Sequence, residues 1–199
     1  VCSSDLWAAQ QRGGIAGPVG VYESAQALRT DLARDLDGTG QARPDALIIG
    51  ALGRVGTGVF DLCEAVGVAA TKWDMAETAH GGPFPEVLQH DLFFNCILAR
   101  PGTPVFVPAD TGAAARRLCV IGDIACDPDS DFSPIKVYDR TTTWAAPALR
   151  VHDDPPLDVT AIDNLPSMLP VESSQDYAAQ LLPSLLTLND LDAGVWGRA

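Results

Sequence analysis

The feature that most constrains the fold is a short apolar run that leads directly into a glycine-rich turn. Residues 46–49 (ALII) are uniformly apolar, as is typical of a parallel strand buried on both faces. The turn at residues 50–58 (GALGRVGTG) follows at once, and a helix is predicted from about residue 53 to residue 66. A strand, a tight glycine turn and a helix in this order begin a βαβ unit, so we expect a parallel sheet flanked by helices.

Short apolar runs recur along the chain, separated by helical or loop segments. We predict further strands at residues 68–73, 90–98 and 118–124. Between and before them, an amphipathic helix capped by Ser24 is predicted over residues 24–36, and a short Ala-rich helix over residues 110–117. This alternation predicts an α/β fold with a Rossmann-like, doubly wound parallel sheet and right-handed crossovers.

The pattern is less regular after residue 127. Residues 135–138 and 148–152 could form short strands, and the acidic, Pro-interrupted run at residues 153–158 (DDPPLD) is predicted as a turn in solvent. A last helix is predicted from residue 173 or 174 to about residue 188, kinked at Pro183. Its apolar stripe consists of Tyr177, Leu181, Leu185 and Leu188.

Composition limits the classes of protein that remain. With 199 residues, 47% of them hydrophobic, the chain can bury a core as one domain or slightly more, which excludes a disordered or fibrous protein. The 26 acidic and 13 basic residues give a net charge of −13, so we expect neither a nucleic acid nor a membrane as partner. No apolar run approaches the roughly 20 residues that span a bilayer, and no signal peptide is recognised, so a soluble, cytoplasmic protein is expected.

The five cysteines fit a reducing compartment. Their number is odd, their spacing is wide and no CxxC pair occurs, so we expect free, mostly buried thiols rather than a disulfide framework. They are Cys2, Cys63, Cys96, Cys119 and Cys126.

The first six residues (VCSSDL) correspond to one translated frame of a common sequencing adapter. We therefore interpret residues 1–6 as non-native and leave them out of the fold prediction. On this interpretation the natural sequence begins in mid-protein near Trp7.

The glycine turn also carries a chemical prediction. Gly53 and Gly56 stand at the second and third glycines of the GxGxxG dinucleotide fingerprint, with Ala51 at the first. Glycine is needed there because the backbone must approach a pyrophosphate, whose charge then lies at the positive end of the helix dipole. Asp74 lies 21 positions beyond Gly53, where an acid accepts hydrogen bonds from the adenosine ribose and repels the 2′-phosphate of NADP. We predict a dinucleotide site that prefers NAD; the alternative is a glycine turn that serves only strand-to-helix packing.

Other candidates remain open when judged from the residues alone. Asp123 and Asp127 flank the end of the fourth strand and could line a ligand cleft or cap a loop. Asp163 and Asn164 could close the nucleotide pocket or cap a helix. The three histidines share no ligand spacing and are predicted to be structural, and we assign no catalytic residue and no metal ligand.

Several motifs together resemble a known family of enzymes. They are IIGALGRVGTGVFDLCEAVG at residue 48, KWDMAETAHGGPFPEV at residue 72, GDIACDPDSDFSPI at residue 122, AIDNLPSMLP at residue 161 and LLPSL at residue 181. In this order they resemble the NAD-dependent, L-lysine-forming saccharopine dehydrogenases from about Trp7 to Ala199. The resemblance implies a cytoplasmic oxidoreductase of lysine metabolism that oxidises saccharopine with NAD and releases L-lysine and 2-oxoglutarate.

The resemblance also implies roles for individual residues. Gly53 and Arg54 would meet the pyrophosphate of NAD, Asp74 the adenosine ribose and Thr78 the adenine side. The remaining expected cofactor contacts are Leu98, Ile124, Ile162, Asp163, Asn164 and Leu165, and the expected substrate contacts are Ala125, Cys126 and Asp127.

The family's catalytic lysine and histidine belong to a preceding domain that this chain does not match. The resemblance therefore implies a NAD-binding domain over residues 7–170 and a C-terminal segment, residues 171–199, whose helix returns to that missing domain. We expect the 199-residue chain to be inactive alone. Two alternatives stay open: the NAD domain of a related amino-acid dehydrogenase or transhydrogenase, and a non-catalytic, NAD-responsive interaction module. The oligomeric state is not predicted.

Overall fold

This computed structural model of the chain describes residues 2–192 and 194–198. The chain divides into two compact units, which are described separately below. The first contains Val1–Val19 and Arg29–Asp163, and the second contains Gly20–Leu28 and Asn164–Ala199, apart from the residues not described. The helices are α1 (Cys2–Gln11), α2 (Ala25–Asp37), α3 (Arg54–Ala65), α4 (Met75–Thr78) and α5 (Pro170–Leu185).

The first unit is built on one mixed sheet. The strands are β1 (Asp45–Ile49), β2 (Ala69–Trp73), β3 (Leu92–Asn95), β4 (Val120–Asp123), β5 (Leu149–Asp153) and β6 (Pro156–Thr160). Their order within the described sheet is β2-β1-β3-β4-β6-β5. All neighbouring pairs are parallel except β5 with β6, which is antiparallel. The predicted α/β, Rossmann-like fold is therefore confirmed, with an antiparallel strand added at one edge.

The central strands are apolar because both of their faces are covered. Every residue of β3 and β4 is buried, as are the last four of β1. On one face, Leu47, Phe93 and Ile121 lie side by side in register and join a core that includes Phe106. On the other face α1 packs against β3, β4 and β6, and α3 packs against β1 and β2.

The glycine turn depends on close backbone contacts at two positions. Gly50 has a φ of +86°, and a Cβ there would lie 2.8 Å from the Ile97 side chain. A Cβ on Gly56, in the first turn of α3, would lie 2.6 Å from the Cα of Ala51. Both glycines therefore have a packing role, independent of any ligand.

Helix α1 is a feature that the sequence interpretation leaves out. Its residues Ser3, Ser4, Leu6 and Trp7 are buried, so the segment set aside as non-native takes part in the packing of the first unit. The small side chain of Ser3 lies against Gly122 of β4, where a Cβ would clash with it. Packing does not test the origin of residues 1–6, and that interpretation remains a prediction.

The second half of the sheet differs from the predicted pattern. The acidic run at residues 153–158 is not a turn in solvent throughout, because its last three residues begin β6 and Asp158 is fully buried. Residues 135–138 contribute an isolated bridge through Ile135 rather than a strand. The predicted helix at residues 110–117 is reduced to a 3-10 turn at Thr111–Ala113.

The second unit contains a 3-10 turn at Leu165–Met168 and helix α5. Within this unit the Glu172 carboxylate accepts a hydrogen bond from the amide N–H of Ala25, at 2.7 Å. Helix α5 includes Pro183 as predicted and ends at Leu185. Several large apolar side chains of this unit are exposed, namely Val171, Tyr177, Leu182, Leu185, Leu186, Leu188, Leu191 and Val195.

Candidate functional site

A cleft of about 820 Å³ opens at the carboxyl ends of β1, β2 and β3. Ligands of open α/β sheets bind at this edge, beside the point where the strand order reverses. The volume lies within the range of about 300–1,000 Å³ that is typical of ligand pockets. Four predicted cofactor residues line the cleft: Gly53, Asp74, Thr78 and Leu98.

The floor of the cleft is the glycine turn. Gly53 is the N-cap residue of α3, is exposed and provides no side-chain cap for the helix. A Cβ on Gly53 would lie 3.4 Å from Gly50 O, which is ordinary van der Waals contact, so packing alone does not require glycine at this position. Arg54 begins α3 beside it and is exposed. The exposed amino end of this helix therefore has the open face and the dipole direction that a pyrophosphate requires.

Asp74 connects the glycine turn to the end of β2. One carboxylate oxygen accepts from Leu52 N at 3.0 Å, and the other accepts from Met75 N at 2.9 Å. The Asp74 side chain also accepts from Glu77 N, and the Glu77 carboxylate in turn accepts from Asp74 N, which completes a capping box. A carboxylate has about four lone-pair sites, so these backbone donors leave one site open for a further hydrogen bond. The carboxylate is therefore held in place, and it is still able to receive a ligand hydroxyl.

The walls of the cleft are apolar and exposed. Met75 is 82% exposed, Leu52 77% and Leu98 76%, and all three line the same cleft. Three exposed apolar side chains that line one concave surface can bind a ligand with an apolar face. Thr78 lies at the end of α4, where its hydroxyl donates to Asp74 O at 3.0 Å.

One wall is a loop that the sequence interpretation does not single out. Residues 100–104 (RPGTP) line the cleft after β3. The loop closes on itself because Thr103 N donates to Arg100 O and Arg100 N donates to the Thr103 hydroxyl, both at 2.9 Å. Its Gly and Pro punctuation after a strand could have indicated a ligand loop. Leu52 and Met75 could have been inferred from their positions, because Leu52 precedes Gly53 and Met75 follows Asp74.

A buried polar cluster lies at the carboxyl ends of β3 and β4. Asp123 accepts from Asn95 Nδ2 at 2.9 Å and from the Tyr138 hydroxyl at 2.5 Å. Asn95 is 0% exposed and Asp123 2% exposed. Burial and the neighbouring Asp123 carboxylate both raise the pKa of Tyr138, so its phenol stays protonated and donates. Of the two alternatives for Asp123, the structure supports the loop cap, because its side chain also accepts from Cys126 N, at 3.4 Å.

The predicted substrate residues Ala125, Cys126 and Asp127 follow this cluster. Cys126 has a left-handed backbone with a φ of +53°, which is uncommon for a residue with a side chain. Its thiol donates to Ala161 O at 3.1 Å, which ties the end of β4 to the end of β6. Burial, followed by the charge of Asp123, raises the pKa of this thiol to about 11. At neutral pH the group is therefore a hydrogen-bond donor rather than a thiolate nucleophile. Asp127 is exposed.

The remaining predicted cofactor residues lie outside the cleft lining. Ile124 follows β4, where its amide donates to Asn95 O at 3.0 Å. Ile162 is buried after β6 and forms an isolated bridge with Thr142, and the next residue, Asp163, is exposed. Asn164 and Leu165 belong to the second unit, where Asn164 has a φ of +62° and precedes a 3-10 turn without capping it through its side chain.

The histidines have structural contacts. The ring of His90 contacts Glu86 O and the Thr71 hydroxyl, and that of His152 contacts Pro155 O. His80 packs against the Phe84 ring with centroids 4.8 Å apart. Within the described residues no group of three or more His, Cys, Asp or Glu side chains could hold a metal ion, and no helix is long and apolar enough to cross a bilayer.

The strand order, the glycine turn at the end of β1 and the acid after β2 together define a Rossmann-like α/β protein. The particular resemblance found in the motifs is confirmed, since the sequence is similar to NAD(+)-dependent, L-lysine-forming saccharopine dehydrogenases at 38–42% identity. No protein-family model matches the chain.

Three relatives illustrate the extent of this similarity. The chain is 41% identical over 179 residues to the saccharopine dehydrogenase (NAD(+), L-lysine-forming) of Candida albicans, which covers 86% of this chain and 47% of the relative. The identity is 42% to the Schizosaccharomyces pombe enzyme of the same name, over 78% of this chain and 45% of the relative. It is 38% to that of Yarrowia lipolytica, over 98% of this chain and 56% of the relative. The chain thus spans about half the length of the curated relatives it matches.

Proposed function

We propose that this chain is the NAD-binding part of an NAD-dependent saccharopine dehydrogenase. The observation that carries the proposal is the cleft in which Gly53, Asp74, Thr78 and Leu98 meet at the switch point of the sheet. The names of the relatives support NAD as the dinucleotide. In this proposal Gly53 and Arg54 hold the pyrophosphate, Asp74 the adenosine ribose and Thr78 the adenine side, and Leu98 lines the nucleotide groove.

The intact protein would oxidise the secondary amine of saccharopine. Bound NAD would accept the hydride from the carbon beside the amine as the amine proton is lost, and water would hydrolyse the resulting imine to L-lysine and 2-oxoglutarate. Ala125, Cys126 and Asp127 would lie on the substrate side. Ile124, Ile162, Asp163, Asn164 and Leu165 would contact the rest of the cofactor.

The proposal assigns the chemical step to residues outside this chain. Residues 7–170 would form the NAD-binding domain, and residues 171–199 would pack on a domain that provides the catalytic lysine and histidine. The exposed apolar side chains of α5 support this arrangement. The chain alone would then bind NAD weakly and turn over no saccharopine. Free thiols at Cys63, Cys96, Cys119 and Cys126 support a cytoplasmic location.

Calorimetric titration with NAD and with NADP tests the cofactor proposal. We expect the wild-type chain to bind NAD more tightly than NADP, because the Asp74 carboxylate repels a 2′-phosphate. The Asp74→Asn variant keeps a good N-cap residue but loses the charge. Its NAD affinity should fall by roughly tenfold to a hundredfold, the equivalent of one charge-assisted hydrogen bond. The ratio of its affinities for NAD and NADP should also decrease.

The matched control is Asp190→Asn, which removes the same charge at an exposed position in the second unit. Its affinities should equal those of the wild type. A folded wild-type chain, shown by a cooperative thermal transition, that binds neither dinucleotide would contradict the proposal.

A further inference from the structure

We propose that Asp123 is a positioning residue that holds residues 124–127 in a binding-competent conformation, with Asn95 and Tyr138 fixing its carboxylate. The inference rests on the proposed function, since residues 124–127 contain four of the predicted ligand contacts. It assigns a role to three buried residues that no dinucleotide fingerprint contains.

The Asp123 carboxylate is held from two directions. Asn95 lies directly beside it in the register of β3 and β4 and donates from its amide to one oxygen. Tyr138 reaches the other oxygen from a separate loop and is itself 93% buried. Within the described residues no Lys, Arg or His forms an ion pair with Asp123, so neutral donors alone satisfy it. These donors fix the orientation of the carboxylate.

The carboxylate in turn holds the segment that follows it. Cys126 N points to the same oxygen that Asn95 binds, which favours the left-handed backbone of Cys126. That conformation directs the thiol to Ala161 O and leaves Asp127 exposed. Asn95 O also accepts from Ile124 N, so the start of the segment depends on the same residue.

A contribution to stability alone does not explain this buried polar cluster. The Asn95 side-chain oxygen is buried and has no hydrogen-bond partner, and an unsatisfied buried acceptor costs about 1–3 kcal/mol. Apolar side chains of similar size would fill the same space without that penalty. The cluster lies at the carboxyl edge, where the ligand is expected, and this position favours a role in presenting residues 124–127.

The test compares Tyr138→Phe with the wild-type chain. This change removes one hydroxyl and leaves the ring packing, and Tyr177→Phe is the matched control because Tyr177 is 67% exposed. Hydrogen exchange measured by mass spectrometry reports on residues 124–127 and, as an internal reference, on β1. Titration with NAD reports on binding.

We expect Tyr138→Phe to accelerate exchange in residues 124–127 by roughly tenfold to a hundredfold relative to β1, the equivalent of one lost hydrogen bond to a charged group. The NAD dissociation constant should rise with it, and Tyr177→Phe should change neither. Exchange that rises equally in β1 and in residues 124–127 would show a purely structural role and overturn the inference. Unchanged exchange in residues 124–127 would also overturn the inference.

The two proposals fail in different ways. A wild-type chain that binds NAD, with Tyr138→Phe unchanged in exchange and affinity, overturns the positioning role and leaves the proposed function intact. A folded wild-type chain that binds no NAD overturns the proposed function. In that case, local acceleration in Tyr138→Phe would still support Asp123 as the residue that holds this segment.

Discussion

At the scale of single residues, Gly56 is the position where the turn tolerates least change. It lies in the first turn of α3, where an added Cβ would meet the backbone of Gly50 and Ala51. Backbone atoms of a buried turn cannot move aside as a flexible side chain can. We expect Gly56→Ala to lower the free energy of unfolding by about 1–3 kcal/mol, as overpacking does, measured by urea denaturation.

Gly58 provides the matched control in the same helix. It is exposed, and a Cβ there would meet nothing within 4 Å. Gly58→Ala should therefore raise the free energy of unfolding by about 0.5–1 kcal/mol, since alanine favours a helix over glycine. Equal destabilisation by both changes would contradict the packing role of Gly56.

The residues of the candidate site differ in how well the sequence predicts them. The position of Asp74 follows from a local rule, since an acid after the second strand lies beside the glycine turn. The cluster of Asn95, Asp123 and Tyr138 has no such signal. Asn95 lies 28 positions before Asp123 in the sequence, and Tyr138 lies 15 positions after it. Only the register of β3 with β4 and the path of a loop bring the three side chains together.

At the scale of elements, strand β6 depends on an ion pair between the buried Asp158 carboxylate and the partly exposed Arg150 side chain. Asp158 has a side chain only 1% exposed, and its two oxygens accept from Arg150 of β5 at 2.5 and 3.1 Å. Gln10 of α1 donates to the same carboxylate at 2.6 Å. The Asp158 hydrogen bond also raises the pKa of the Arg150 guanidinium, so the guanidinium stays charged. The Asp158 carboxylate thus connects both the antiparallel edge strand and α1 to β6.

We expect Arg150→Met to cost about 3–5 kcal/mol, because it leaves a buried carboxylate without its cation. Arg34→Met is the control, since Arg34 pairs with Asp31 at a surface where the side chains are 67% and 40% exposed. That pair should contribute less than about 1 kcal/mol. Urea denaturation of both variants measures the difference. Similar losses would show that burial of Asp158 does not depend on Arg150.

The sequence predicts the elements that have a local pattern and misses those, such as β6, that depend on distant partners. Strand β1 and helix α3 have a local apolar pattern and a glycine turn, and their predicted bounds agree with the structure to within one residue. Strand β6 has an acidic, Pro-containing sequence that predicts a solvated turn. Its Asp158 is buried because Gln10, 148 positions away, and Arg150 satisfy it. No local pattern contains those partners.

At the scale of the whole molecule, two properties oppose each other. The chain carries a net charge of −13, which keeps copies apart at low ionic strength. The second unit exposes large apolar side chains, among them Leu186 at 73% and Tyr177 at 67%. Apolar surfaces of this kind associate when charge repulsion is screened. Salt should therefore decide which property dominates.

We expect the isolated chain to self-associate with increasing concentration, and more strongly in 0.5 M than in 0.05 M NaCl, as measured by sedimentation velocity. Leu186→Glu should reduce the association at both salt concentrations, because it places a charge in the apolar surface. Ile15→Glu adds the same charge at a 54% exposed position of the first unit and should have a smaller effect. A wild-type chain that stays monomeric in high salt would show that these side chains do not drive association. Equal effects of the two substitutions would show that net charge alone controls it.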